Sequence, residues 1–259
     1  MKKLGLALGA GGSRGVAHIG FLKALEEEGI RPDFISGSSM GSVIGAAYAA
    51  GVDLDVMKKA VLNLKVFDVI ALTRHRGGLF GTKKIRKLLV KYLGHIHFEE
   101  LKIPFSCVAV DMVEQKLVEF TEGYVIDAVI ASSNIPAIFH PLEKNGMRLI
   151  DGGVLDRVPV EQVKKLGADV VVAVDVLGWR ECSENCPGTL GVLLETMDIM
   201  DNYRTKRKRK EQADIIDFWL EPELGNMSQY SFKMIAHAYQ KGYELGKANA
   251  AAIKNALKK

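Results

Sequence analysis

Short apolar runs alternate with amphipathic stretches in the N-terminal part of the chain. The run Leu4–Leu8 is continuously apolar, as expected of a strand buried on both faces, and leads into glycine-rich sequence. Residues 16–28 carry apolar side chains at helical spacing and end at Gly29, which is suited to a helix C-cap. A second strand runs into Ser39, and a helix-compatible segment follows over 43–50. The pattern predicts strand, loop, helix, strand and helix, the beginning of a parallel α/β sheet.

The rest of the chain continues this alternation. The pattern predicts helices over 54–64, 83–92, 125–131, 159–166, 189–210 and 231–257, and strands over 105–110, 117–120, 147–150, 170–176 and 215–220. No internal repeat, low-complexity tract or Pro/Ser-rich linker divides the sequence. We therefore expect residues 1–259 to form one domain of the α/β class.

Composition narrows the function classes. The chain has 259 residues, enough for a large core, and its net charge of +4 is too small to indicate nucleic-acid binding by itself. Cys107, Cys182 and Cys186 are an odd number in a long chain and indicate no disulfide framework; Cys182 and Cys186 favour a chance pair over a metal or redox pair. Met1-Lys2-Lys3 and the apolar segment 4–10 resemble the start of a signal peptide, but glycines interrupt the apolar run early. No apolar run reaches the roughly 18 residues of a membrane span, so we expect a soluble cytoplasmic protein.

The strongest candidate for chemistry is the pentapeptide Gly37-Ser38-Ser39-Met40-Gly41, a G-x-S-x-G sequence between the second strand and the following helix. Strand, sharp turn and helix are the context of a nucleophile elbow, in which Gly37 and Gly41 let the two backbones pass closely. The turn also leaves Ser39 at a helix N-terminus, where backbone N–H groups favour negative charge. An ordinary glycine-rich turn is the alternative, and the context favours a nucleophilic Ser39.

A glycine-rich loop, Gly9-Ala10-Gly11-Gly12-Ser13-Arg14-Gly15, follows the first strand. A dinucleotide site would need a third glycine where Arg14 stands and a carboxylate at the end of the second strand. A P-loop would need a closing Gly-Lys-Ser or Gly-Lys-Thr, which is also missing. The loop does supply a run of N–H groups at the carboxyl end of strand one, beside Ser39 at the end of strand two. That placement is typical of an oxyanion hole.

The general base is less distinct. The histidines are His18, His75, His95, His97, His140 and His237. His18 lies inside the first helix and is expected to be a packing residue, while His140 or His237 could approach the serine. Asp151, which precedes two glycines and follows a buried strand, is placed like a functional residue at the carboxyl edge of a sheet, or else caps a glycine-rich turn. Because an aspartate is a weak base at its ordinary pKa of about 3.9, it would have to contact Ser39 directly in a desolvated pocket.

Taken together, these segments resemble the patatin-like phospholipases, close to the bacterial members related to neuropathy target esterase. The resemblance covers Leu4 to about Val176 and rests on Gly11-Gly12-Ser13-Arg14-Gly15, Val16-Ala17-His18-Ile19-Gly20, Gly37-Ser38-Ser39-Met40-Gly41, Ala131-Ser132-Ser133-Asn134-Ile135-Pro136 and Asp151-Gly152-Gly153. It implies a three-layer α/β/α fold with a mostly parallel central sheet, and hydrolysis of lipid acyl esters without a metal or cofactor.

The resemblance also implies roles for individual residues. Ser39 would be the nucleophile and Asp151 the proton acceptor of a dyad without histidine. The oxyanion hole would lie in the loop of Gly11, Gly12, Ser13 and Arg14. One departure is Ala10, where such members usually carry glycine, and its methyl group is expected to narrow the approach to the hole.

Two alternatives stay open. One is a conventional triad of Ser39, Asp175 and His237, which is disfavoured because only one strand precedes the elbow. The other is a non-enzymatic, lipid-binding regulator on the same fold.

Two segments bear on contact with membranes. Arg204 to Lys210 holds six cations at the end of a predicted helix, where they would attract anionic lipid head groups or would simply complement the helix dipole in solvent. Residues 65–82 combine apolar side chains with a basic, glycine-rich stretch and would form a lid or an ordinary surface loop. We therefore expect a lipid or fatty-acyl ester as substrate and peripheral contact with an anionic membrane surface. A nucleic-acid partner is disfavoured, because aromatic residues are not interleaved with the cations.

Overall fold

The computed structural model describes residues 2–64, 71–72, 79–178 and 188–258. Its strands are β1 (Leu4–Leu8), β2 (Phe34–Ser38), β3 (Ala71–Leu72), β4 (Phe80–Gly81), β5 (Phe105–Asp111), β6 (Lys116–Phe120), β7 (Leu142–Lys144), β8 (Met147–Asp151), β9 (Val170–Val174) and β10 (Phe218–Leu220). Its α-helices are α1 (Ala17–Glu27), α2 (Met40–Ala49), α3 (Leu54–Leu62), α4 (Lys83–Leu93), α5 (Val125–Ser132), α6 (Val160–Lys165), α7 (Gly188–Glu211) and α8 (Ile235–Ala256).

The main sheet has the neighbour order β10-β9-β1-β2-β5-β8-β7, with β6 also paired to β5. Strands β10, β9, β1, β2 and β5 run parallel, and their connections place helices on both faces of the sheet. The expected α/β/α architecture with a mostly parallel sheet is therefore confirmed. Because β1 and β2 are adjacent and parallel, the loop after β1 and the turn after β2 open at the same edge.

The end of β8 departs from a purely parallel sheet. β8 runs antiparallel to β5. The sequence predicts the strand before Asp151 as one strand of a parallel sheet, which would place Asp151 at the carboxyl edge. Since β6 covers one edge of β5, β2 and β8 share the other edge and meet end to end: Ser38 pairs with Val108, and Asp151 pairs with Ala109. Neighbouring residues of a strand are about 3.3 Å apart, so this register alone brings the two strand ends together.

Alternating side chains of β1 pack into two hydrophobic clusters, one on each face of the sheet. Leu4, Leu6 and Leu8 pack with the larger cluster formed with α1, α2, α5 and α8. Ala7 points to the opposite face, where it meets a smaller cluster that contains Val163 of α6. This is the period of two expected of a strand buried on both faces.

Some predictions fall outside the described residues. Cys182 and Cys186 are among them, as is most of the 65–82 segment; within that segment, β3 and β4 pair as a short antiparallel ladder. Cys107 is buried in β5. Among the helices of the described part of the chain, none is both long enough and apolar enough to cross a bilayer.

Candidate active site

The turn between β2 and α2 has the geometry of a nucleophile elbow. Ser39 is buried and lies at φ 52° and ψ −122°, a backbone conformation that non-glycine residues rarely adopt. The glycines on either side allow the close crossing: a Cβ on Gly41 would lie 2.0 Å from the carbonyl oxygen of Leu8, and one on Gly37 would lie 2.6 Å from the Cα of Ser42. The strained serine is therefore held by packing on both sides.

Ser39 and Asp151 are in direct contact. The Ser39 hydroxyl donates a hydrogen bond to Oδ2 of Asp151 at 2.6 Å, and Oδ1 of Asp151 accepts from the N–H of Gly153 at 2.8 Å. Burial raises the pKa of Asp151 to about 7, although the hydrogen bonds from Ser39 and Gly153 oppose the rise; the charge of Asp201 adds to it. A buried carboxylate with this pKa can accept a proton near neutral pH.

The segment after α5 supports both residues of this pair. The N–H of Ser39 donates to the hydroxyl of Ser132 at 2.9 Å, and the N–H of Asp151 donates to the carbonyl of Asn134 at 3.0 Å. The hydroxyl of Ser133 reaches the carbonyl of Ser39 at 3.4 Å. One short stretch thus fixes the backbone at both ends of the Ser39–Asp151 hydrogen bond.

The glycine-rich loop forms one wall beside Ser39. The N–H of Ser13 is donated to the carbonyl of Gln229 at 2.9 Å, and that of Arg14 to the carbonyl of Gly11 at 3.0 Å. Gly12 has a φ of 51°, and a Cβ there would lie 2.3 Å from the Gln229 oxygen. Within the described residues, no acceptor is found for the N–H groups of Gly11 and Gly12, and both residues line the cavity at Ser39.

Arg14 anchors this loop through its side chain. The buried guanidinium donates to the carbonyls of Val176 at 2.7 Å, Leu177 at 3.1 Å and Met227 at 2.9 Å. Gly15, the last glycine of the loop, packs against Met40 of the elbow. These contacts give the Arg14 side chain a structural role, because they hold the loop in place.

A cavity of about 130 Å³ opens beside Ser39. Its lining joins the loop, the elbow and helix α7, and comprises Ala10, Gly11, Gly12, Ser39, Ile135, Pro136, Asp151, Gly153, Val154, Leu177, Met197, Asp198, Met200, Asp201, Arg204, Gln229 and Tyr230. The methyl group of Ala10 is in this lining, at the position where the sequence departs from the family pattern. A cavity of this size is below the roughly 300–1,000 Å³ of typical small-molecule pockets, so it encloses only part of a long-chain ester.

An ion-pair network fastens α7 behind the site. Buried Arg157 pairs with Asp175 at 2.9 Å and with Asp201 of α7 at 3.0 Å. Arg204 also pairs with Asp201, at 2.9 Å, and donates to the carbonyl of Gly153 at 3.0 Å. The network thus continues from the end of β9 through α7 to the turn that follows Asp151.

Five of the six histidines, all except His75, fall within the described residues. None of the described residues that line the cavity is a histidine. His18 is buried, with Nε2 2.8 Å from the carbonyl of Gly9, and burial lowers its pKa to about 4, which agrees with its expected packing role. Asp175, the acid of the alternative triad, pairs with Arg157.

The basic cluster of Arg204 to Lys210 is largely paired with carboxylates. Arg204 belongs to the network above, and Lys208 pairs with buried Asp156 at 2.7 Å. Arg207 and Arg209 pair with Glu211 and Glu221. Arg204 and Lys208 thus turn towards the protein, whereas the pairs of Arg207 and Arg209 lie at the surface, and contact of this cluster with lipid stays a prediction.

Several residues with clear contacts at the site had no role in the sequence prediction. Ser132 belongs to the segment Ala131-Ser132-Ser133-Asn134-Ile135-Pro136, for which the sequence predicts no function. Arg204 belongs to the basic cluster, which the sequence places at the surface. Arg157 and Asp201 are charged residues without a motif around them. Their importance depends on contacts between distant segments, which no local spacing signals.

Comparison with known sequences identifies the family. Residues 6–164 match the family described as patatin-like phospholipase. Lysophospholipase NTE1 of Coccidioides immitis is 30% identical over 286 aligned positions, covering 98% of this chain and 18% of that protein. An uncharacterized NTE family protein of Mycobacterium bovis is 36% identical over 179 positions, covering 68% of this chain and 49% of that protein. The chain thus spans less than half of the length of these relatives.

Solved structures agree in fold. VipD from Legionella pneumophila superposes with a TM-score of 0.69 at 14% identity, over 97% of this chain and 67% of that one. ExoU in its complex with SpcU from Pseudomonas aeruginosa gives 0.51 at 16% identity, over 100% of this chain and 52% of that one. At these identities the likeness concerns the fold alone. The family match extends over more than half of the chain and agrees with the elbow, loop and Asp-Gly-Gly turn described above: the chain belongs to the patatin-like phospholipase family.

Proposed function

We propose that this protein is a serine hydrolase of lipid acyl esters, with Ser39 as nucleophile and Asp151 as general base. The observation that carries the proposal is the 2.6 Å hydrogen bond between the two side chains at a strained elbow. The family match and the lysophospholipase name of its relatives support a lipid ester as the substrate class.

In the first step, Asp151 accepts the hydroxyl proton of Ser39 while the serine oxygen attacks the ester carbonyl carbon. The raised pKa of Asp151 suits this role, because a carboxylate at its ordinary pKa of about 3.9 would hold the proton too weakly near neutral pH. Gly153 holds the second carboxylate oxygen, so Oδ2 stays directed at the serine.

The tetrahedral intermediate needs donors for its oxyanion. The N–H groups of Ser13 and Arg14 already have carbonyl acceptors, and we therefore narrow the oxyanion hole to the amides of Gly11 and Gly12. Both line the cavity with Ser39, and backbone donors held in place before the reaction need little reorganisation.

Collapse of the intermediate expels the alcohol or lysolipid, which takes up the proton held by Asp151, and leaves an acyl-enzyme on Ser39. Water then enters, and Asp151 accepts one of its protons while the water oxygen adds to the acyl carbonyl carbon. Collapse of this second intermediate breaks the bond to the Ser39 oxygen, which takes the proton back from Asp151, and releases the fatty acid. The dyad carries both half-reactions because the same carboxylate returns to its ionised form in each cycle.

The test is a panel of acyl esters assayed with wild type, Ser39→Ala and Asp151→Asn, together with labelling by a fluorophosphonate probe. We expect labelling at Ser39 in wild type, none in Ser39→Ala, and hydrolysis lowered by several orders of magnitude in both variants. Ser38→Ala is the matched control, because Ser38 is also buried and adjacent in sequence but has no hydrogen-bond partner for its hydroxyl among the described residues.

The outcomes separate the dyad from its alternatives. Loss of acylation in His237→Ala, with Asp151→Asn still active, would establish the triad instead. Folded wild-type protein that neither labels nor hydrolyses any ester would favour a non-enzymatic lipid-binding role.

A further inference from the structure

Helix α7 presents an uncovered apolar face next to the cavity. Val192, Ile199 and Tyr203 recur at spacings of seven and four residues, which places them on one side of the helix. They are 55%, 59% and 76% exposed, and Met200, on the edge of the same face, is 62% exposed. Isolated exposed apolar residues are ordinary, but a row of them on one helix face marks an interaction surface.

The same face becomes cationic towards the end of the helix. Lys206 and Lys210 lie three and seven residues after Tyr203, and Arg207 lies seven after Met200; all three are exposed. Arg207 keeps an exposed pair with Glu211, which contributes little to holding it back from another anion. The charge along this half of the face is therefore positive, in contrast to Arg204 and Lys208, which turn inward.

The face continues into the mouth of the site. Met200 belongs both to the face and to the cavity lining, and half-buried Met197 and Arg204 line the cavity from the adjacent side of the helix. The cavity encloses only about 130 Å³, so most of a long acyl chain would remain outside it, beside this helix. An apolar stripe at the mouth, followed by cations, matches the depth profile of a lipid surface, with acyl chains below and head groups above.

The geometry points to α7 as the docking surface for an anionic lipid bilayer, in which Val192, Ile199 and Tyr203 insert and Arg207 and Lys210 meet the head groups. This inference rests on the proposed hydrolase function, since docking would place the mouth of the cavity at the membrane that holds the lipid ester. Charge complementarity favours an anionic surface over a second, also net positive, copy of this chain.

The experiment compares binding to vesicles and hydrolysis of a soluble ester. Ile199→Ser with Tyr203→Ser is tested against Val56→Ser with Leu62→Ser, two exposed apolar residues of α3 that do not line the cavity. Co-sedimentation uses vesicles of equal parts phosphatidylcholine and phosphatidylglycerol, and pure phosphatidylcholine as the neutral reference. We expect the α7 pair to lower vesicle partitioning by roughly tenfold per residue and the α3 pair to leave it unchanged.

The cations are tested with Arg207→Gln and Lys210→Gln. Each should lower partitioning to the anionic vesicles by about fivefold and leave the weaker partitioning to neutral vesicles unaltered. Hydrolysis of a short, water-soluble p-nitrophenyl ester should stay at the wild-type rate in all four α7 substitutions, because these side chains lie outside the cavity.

The results distinguish docking from chemistry. Equal vesicle binding by wild type and the α7 pair would overturn the docking surface, even if the soluble ester is hydrolysed. A dimer in sedimentation velocity that the α7 pair dissolves, without a loss of vesicle binding, would also overturn it and assign the face to a second copy. Vesicle binding that depends on α7, in a protein that hydrolyses no ester, would support the docking surface and reject the proposed function.

Discussion

Replacement of Asp151 by asparagine should remove activity and at the same time stabilise the protein. Burial raises the pKa of this carboxyl to about 7, against an ordinary value of about 3.9 in an unfolded chain. Because the folded-state pKa is the higher one, the folded protein binds this proton more tightly than the unfolded chain does. The associated stability is fully present below about pH 4 and is lost as the pH rises through about 7.

The size of the effect follows from that difference. About three pH units at about 1.4 kcal/mol each correspond to at most about 4 kcal/mol of unfolding free energy at a pH well above 7. Asp151→Asn removes the charge but keeps the shape: its amide oxygen can accept from Gly153, and its NH₂ can donate to Ser39. For a chain of this length, about 4 kcal/mol corresponds to a rise in melting temperature of roughly 10 °C.

The assay is thermal unfolding of wild type and Asp151→Asn between about pH 5 and about pH 8, with ester hydrolysis measured on the same samples. The difference in melting temperature between Asp151→Asn and wild type should grow with pH. Asp111→Asn is a control of opposite sign, because the N–H of Val113 and other backbone donors hold the pKa of Asp111 below its usual range. An Asp151→Asn protein that is no more stable than wild type at about pH 8 would refute the assignment of a desolvated, high-pKa carboxylate to this site.

Three further predictions concern catalysis. In wild type, kcat/KM should fall about tenfold per pH unit below about 7, since Asp151 must be ionised, and His237→Ala should keep this profile; an acid limb near 4 would contradict it. Ser132→Ala leaves the buried N–H of Ser39 without its acceptor, at a cost of about 1–3 kcal/mol, and should slow fluorophosphonate labelling roughly 10- to 100-fold. Ser132→Thr keeps a hydroxyl at this position and should label faster than the alanine variant. Arg204→Gln should lower kcat several-fold and shift the acid limb of the pH–rate profile, because Arg204 holds the turn after Asp151. An unchanged acid limb together with a lower melting temperature would show that Arg204 has only a structural role.

The local pattern was sufficient for most of the elements around the site. Continuous apolar runs predicted β1 and β9 because strands buried on both faces need no polar positions. The G-x-S-x-G sequence between a strand and a helix predicted the elbow, since only glycine fits where Gly41 crosses Leu8. The pattern left out β3, β4 and β7, strands of two or three residues that are too short to show a period, and the antiparallel direction of β8.

The sequence by itself determined the class of fold, the serine at the elbow and Asp151 as one of several candidates for the base. These features are encoded locally, in side-chain period and in glycines that permit one backbone path. The tertiary structure decided which carboxylate faces the serine, because the meeting of β2 and β8 on one edge of β5 depends on strand register across more than 100 residues. It also decided that Arg204 faces the site while Lys210 faces solvent, since a helix distributes neighbouring cations around its axis and only packing against the protein selects the buried side.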